Sequence, residues 1–88
     1  MTETREHRIK RMQMRSMRRG IKEMDLILER FARANLETMN GSELDDYDTL
    51  LSESDHDIYQ WVTGQVAPPE PYRPLIARIV AQLPRAEG

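Results

Sequence analysis

Apolar residues recur along this chain every three or four positions, interrupted by short polar breaks, and that spacing predicts helices. Over about residues 3–17, Ile9, Met12 and Ser16 fall on one helical stripe, with Met14 and Met17 widening it. Glu3 and Glu6 near its start and Arg15, Arg18 and Arg19 near its end complement the helix dipole. A second helix is expected from Ile21 to Glu37, with Met24, Ile27, Leu28, Phe31 and Ala34 inward and a Glu29–Arg33 pair outside. Asn40-Gly41 is the expected stop, since both residues tolerate left-handed backbone.

Ser42 followed by Asp45 reads as a capping-box start for a third, short helix carrying Leu44, Tyr47, Leu50 and Leu51. Ser54 opens a fourth, which places Ile58, Trp61 and Val62 inward and stops at Gly64. The stretch "VAPPEP" is a stiff link that a helix cannot cross. A last helix starts at Pro71 or Pro74, carries Leu75, Ile76, Ile79, Val80 and Leu83, and is closed by Pro84. No segment alternates with period two, so strands are not expected. The reading is an all-α, small five-helix bundle: residues 1–88 as one domain, with a flexible tail at about 84–88.

Composition narrows the chemistry. The absence of cysteine removes disulfides, thiolate zinc sites and cysteine nucleophiles. No stretch approaches the roughly 18 apolar residues of a membrane span. Transit peptides are poor in acids, whereas Glu3 and Glu6 open this chain, so the expectation is a mature cytoplasmic protein. The net charge of −2 conceals a division: residues 1–40 hold 10 Lys or Arg against 6 Asp or Glu, and residues 41–88 hold 3 against 9. Such a split suits either steering of a charged partner or packing of one half on the other.

His7 and His56, the only histidines, have no companions at metal-ligand spacing and read as solvated surface residues. The acidic run "ELDDYD" lacks the glycine and terminal glutamate of a calcium loop. No phosphate loop, dinucleotide fingerprint or nucleophile elbow occurs, and an enzyme is not expected. The basic segment "HRIKRMQMRSMRR" raises a nucleic-acid reading, but its arginines alternate with core-seeking methionines and no second basic element supports them. Trp61 reads as a core anchor, with an interface role for it and for Tyr59 left open.

Gly20 stands where the first two helices meet, at a cost of about 1 kcal/mol if it lay inside a helix. If it precedes the second helix, Glu23 falls at a position from which its carboxylate can cap a backbone N–H. If the helix runs through, Arg19 and Glu23 form an i,i+4 pair. Neither account explains the surrounding arginines.

The stretch "RRGIKEMDLILERF" resembles the RGxxE signature of the SdhE-type assembly factors that promote flavinylation of succinate dehydrogenase. The acidic "LDDYDTLLSESD", the block "DHDIYQWVTG" and the Pro-rich link to a last helix follow in the same order, so the resemblance covers about residues 5–80. It implies a five-helix, non-enzymatic chaperone that binds the flavoprotein subunit of succinate dehydrogenase, with the fumarate reductase flavoprotein as a second client. FAD would be attached covalently to the partner and not held firmly by this chain. Carried over by position, the partner-binding residues are Arg19, Gly20 and Glu23, with Arg18 and Asp25 beside them. Arg19 would offer a planar fork to carboxylates or carbonyls, and bare Gly20 would admit a partner's backbone. A monomer is expected. The alternative from another class is a small nucleic-acid-binding or antitoxin-like regulator.

Overall fold

Ile9, Met12 and Ser16 are buried on one side of the first helix, α1 (Arg5–Arg15), in the computed structural model, which describes residues 3–83. Thr4 caps α1 by accepting the His7 N–H at 3.1 Å. Met14 and Met17 do not widen the buried stripe as expected, being 67% and 41% exposed. The reason is angular: two residues turn a helix by about 200°, so Met14 points away from the face that Met12 buries.

Helix α2 (Lys22–Asn35) buries Met24, Leu28, Phe31, Ala32 and Asn35 and leaves Ala34 exposed. It stops two residues earlier than expected and passes into a 3-10 turn, Leu36–Thr38. The stop is built from a buried side chain: the Asn35 amide donates to the Phe31 carbonyl at 2.8 Å and to Gln82 Oε1 at 2.6 Å, and accepts from Gln82 Nε2 at 2.9 Å. This reciprocal pair ties the end of α2 to the end of the last helix.

Asn40-Gly41 is not a helix stop but a helix start. Asn40 is extended and caps α3 (Gly41–Leu50); its Oδ1 accepts the Glu43 N–H, and Glu43 accepts the Asn40 N–H, both at 2.8 Å. The box is therefore Asn40–Glu43 and not Ser42–Asp45, because the longer Glu side chain can reach back to the cap. Helix α4 (Asp55–Val62) starts as expected at Ser54, which accepts the Asp57 N–H at 3.2 Å, and ends before Gly64 at φ 81°. A 3-10 turn, Glu70–Tyr72, leads into α5 (Arg73–Ala81). Leu75, Ile76 and Ile79 are buried, Leu83 packs on the core edge, and Val80 is exposed. The expected stop at Pro84 and the tail at 84–88 lie outside the described residues.

The architecture is all-α, and among the described residues there is no strand. Tyr47 lies at its centre, fully buried, with its ring 5.6 Å from that of Phe31. Its hydroxyl sits 2.6 Å from Ser16 Oγ and 3.3 Å from the Leu28 carbonyl, so one polar cluster joins α1, α2 and α3 inside the core. Burial pushes the Tyr47 phenol up to about 12. Trp61 is a core residue, its ring 5.6 Å from that of Tyr72 and tilted against it, while Tyr59 is half-buried at the core margin.

Candidate docking surface at the first helix junction

Between α1 and α2 the chain must turn within a few residues. Arg18 supplies the turn, at φ 57°, a left-handed conformation rare for a residue with a Cβ. Gly20, the residue freest to adopt it, does not. Ile21 is extended and stands at the start of α2, without a side-chain cap of its own.

Arg19 is the best-held side chain of the junction, only 12% exposed. Its Nε donates to Asp55 Oδ1 at 2.6 Å, and its Nη1 donates to the carbonyls of Arg15 at 3.0 Å and Leu51 at 3.1 Å. Its Nη2 reaches the Glu53 carbonyl at 3.3 Å. One guanidinium therefore closes the C-terminal ends of α1 and α3 and the first residue of α4. Helix C-terminal carbonyls carry partial negative charge, so a cation is favoured there.

The Arg19 N–H donates to Asp25 Oδ1 at 2.9 Å, and the Gly20 N–H donates to Asp55 Oδ2. The junction backbone is thus held by two carboxylates, Asp25 and Asp55. Glu23 does not have the capping role expected of it: its side chain is exposed and makes no hydrogen bond or ion pair among the described residues. The Arg19–Glu23 pair does not form either, since the guanidinium points into the molecule. Asp25, in the first turn of α2, is instead the acid that reaches back to a backbone N–H, that of Arg19, and α2 itself has no side-chain cap.

The five residues carried over from the family pattern therefore divide. Arg19 and Asp25 face inward and shape the junction; Arg18, Gly20 and Glu23 are exposed. Glu23 also begins an open groove along the outer face of α2, with Leu26, Ile27, Arg30 and Leu83 among its walls. Leu26 is 60% exposed, which gives the surface an apolar patch beside the charged residues.

The basic helix has a different use. Arg8 pairs with Asp45; Arg11 pairs with Glu3 at 2.9 Å and Asp48 at 3.2 Å; Arg15 pairs with Asp48 at 2.6 Å. Hydrogen bonding from Arg11 holds the Asp48 carboxyl below its ordinary value despite an opposing effect of burial, and the same arginine lowers Glu3. Of the two uses open to the charge division, packing of the basic half on the acidic half is the one seen. His7 and His56 are both exposed, and no group of three metal-ligating side chains occurs among the described residues.

Asp55 is the residue that sequence reasoning missed. It reads as one more acid at a helix start, and nothing local indicates a partner 36 positions away.

A family model described as flavinator of succinate dehydrogenase matches residues 10–83. The chain is 51% identical over 61 residues to succinate dehydrogenase assembly factor 2, mitochondrial, of Meyerozyma guilliermondii, covering 69% of this chain and 45% of that protein. The protein of the same name from Komagataella phaffii is 43% identical over 75 residues, 84% of this chain and 40% of its own. The one from Candida glabrata is 56% identical over 48 residues, 54% of this chain and 31% of its own. The chain thus spans less than half the length of these curated relatives. The cytoplasmic expectation does not stand: each of these relatives is named a mitochondrial protein, and acids near the first residue do not report on compartment. No helix among the described residues is long and apolar enough to cross a membrane.

Proposed function

The chain belongs to the family of flavinators of succinate dehydrogenase, and from that premise we propose that it is an assembly factor that binds the flavoprotein subunit and promotes covalent attachment of FAD to it. The observation that carries this reading is the division of the junction. Arg19, Asp25 and Asp55 hold its backbone from inside, while Glu23 and Arg18 present opposite charges on its outer side. A docking site is served by that combination, because a backbone already held in place has no ordering cost to meet when its exposed side chains are bound.

The action fits a holdase of one conformation and not a catalyst. Exposed Glu23 can accept from a basic group or backbone N–H of the flavoprotein, Arg18 can pair with a carboxylate, and Leu26 adds apolar contact. Binding that favours one client conformation shifts its population towards that state. The flavin chemistry then belongs to the client, with FAD held there and not on this chain. The fumarate reductase flavoprotein is proposed as a second client on the same surface. The nucleic-acid alternative is disfavoured by the pairing of Arg8, Arg11 and Arg15 with α3 carboxylates.

The test is covalent flavin on the flavoprotein subunit, read as in-gel fluorescence in cells lacking this protein. Fluorescence should fall, return with the wild-type chain, and stay low with Glu23→Ala expressed at equal level. Undiminished covalent flavin in the deletion strain would overturn the assignment.

A further inference from the structure

We propose that Asp55 is the positioning residue of the docking surface, and that position 20 is a glycine because Asp55 occupies the space a Cβ would need. The inference rests on the docking reading for its functional consequence, but its structural part stands on contacts within this chain.

Two explanations of Gly20 are available from physical chemistry. A glycine serves either an unusual torsion or a close approach. The torsion is excluded here, because the left-handed residue is Arg18 and Gly20 lies outside that region. What remains is close approach, and the structure shows by which atom. A Cβ built on Gly20 would lie 3.0 Å from Asp55 Oδ2, well inside ordinary van der Waals contact. A flexible acid could swing aside. Asp55 need give by only a few tenths of an ångström, but that shift works against the bonds that hold Oδ1 to Arg19 Nε at 2.6 Å and Oδ2 to the Gly20 N–H. Its backbone is held as the first residue of α4, behind the Ser54 cap. Its side chain is 15% exposed, so water replaces these bonds poorly.

The carboxylate acts through others. It accepts from the side chain of Arg19 and the backbone of Gly20 together, and so sets the direction in which the chain enters α2. Glu23 leaves from the first turn of that helix, and Arg18 lies just before the clamped pair. Losing the carboxylate leaves two donors without an acceptor and releases the frame that orients both exposed charges. An amide cannot substitute, since it offers one oxygen where two N–H donors converge.

The experiment is a double-mutant cycle over Gly20→Ala and Asp55→Ala with two readouts: urea unfolding, and binding to the purified flavoprotein subunit. In the wild-type background, Gly20→Ala should lower the folding equilibrium constant about tenfold, in line with coupled contacts. With Asp55→Ala already present, the same change should be neutral or stabilising by a few-fold, because a Gly→Ala change without strain restricts the unfolded chain. The Gly20 amide proton resonance should move upfield in Asp55→Ala. Asp55→Asn should remain folded, bind the flavoprotein about tenfold more weakly, and show the same upfield shift. Should Asp55→Ala not fold, Asp55→Ser completes the cycle.

Equal cost of Gly20→Ala in both backgrounds would overturn the proposal, since that cost would not come from Asp55. Full-strength binding by Asp55→Asn would overturn the positioning role. Failure of the wild-type chain to bind the flavoprotein would count against the docking reading alone, since the stability cycle needs no client.

Discussion

Arg19 and Glu23 stand four residues apart in one motif and have opposite physical circumstances. Arg19 donates four hydrogen bonds, to the C-terminal ends of α1 and α3, to the Glu53 carbonyl in the link that follows α3, and to the first residue of α4, whereas Glu23 has no partner among the described residues. Mutations should separate them. Arg19→Lys keeps the charge but loses the planar fork, so most of the four bonds go. Unfolding stability should fall by about 2 kcal/mol in urea titration, with client binding falling along with it. Glu23→Gln breaks no contact inside the chain. Its stability should stay within about 0.5 kcal/mol of wild type while flavoprotein binding, read by calorimetry, drops. If Glu23→Gln unfolds as readily as Arg19→Lys, the division of roles is wrong.

Among elements, α1 is the one held mostly by charge. It buries Ile9 and Met12, and its polar contacts include the ion pairs with Asp45 and Asp48, the Arg15 bond to Ser52 and the Arg5 bonds to the carbonyls of Glu37 and Met39. Asp48 is depressed in the folded state, chiefly by the Arg11 hydrogen bond. A carboxyl with a lowered folded pKa binds fewer protons folded than unfolded, so its stabilisation is present above the ordinary value of 3.8 and lost as pH falls below it. As pH falls, hydrogen exchange should therefore show α1 amides opening at a higher pH than those of α2. Asp48→Asn should reproduce that loosening at neutral pH, by about 1 kcal/mol, and added salt should reproduce part of it. Unchanged α1 protection in Asp48→Asn would show that apolar burial alone holds the helix.

For the molecule as a whole, the two halves of opposite charge neutralise each other across the α1–α3 contact, which confines the proposed docking surface to one junction. Alkaline stability is a property of the entire core. Burial first, and for Tyr72 also the Glu53 carboxylate at 2.7 Å, pushes both Tyr47 and Tyr72 up to about 12. A phenol with a raised folded pKa contributes stability that is complete below its ordinary value of 10.0 and lost as pH rises towards 12. Denaturation midpoints should fall steeply across that interval, and Tyr47→Phe should flatten the fall while costing about 1 kcal/mol at neutral pH. A midpoint that does not change between pH 10 and 12 would contradict the burial of these phenols.

What the amino-acid order determines by itself is local. Helix periodicity, the Ser54 cap, the stop at Gly64 and the Glu29–Arg33 pair all involve residues four or fewer apart, or a single residue's torsion, and each is present in the structure. The family pattern is likewise readable, because it is an order of residues along the chain. Local rules also explain the errors. Two caps compete within three residues at Asn40 and Ser42, and the choice depends on a Glu reaching back, which spacing alone does not rank. The methionines of α1 satisfy a hydrophobic count, but a small core covers only one stripe. Tertiary structure alone decides which motif residues face in. Arg19 meets Asp55 across 36 positions and Asn35 meets Gln82 across 47, and such contacts exist only once helices pack. Gly20 belongs to that second class: its place at the junction is legible in the chain, but the atom that excludes a side chain there arrives from α4.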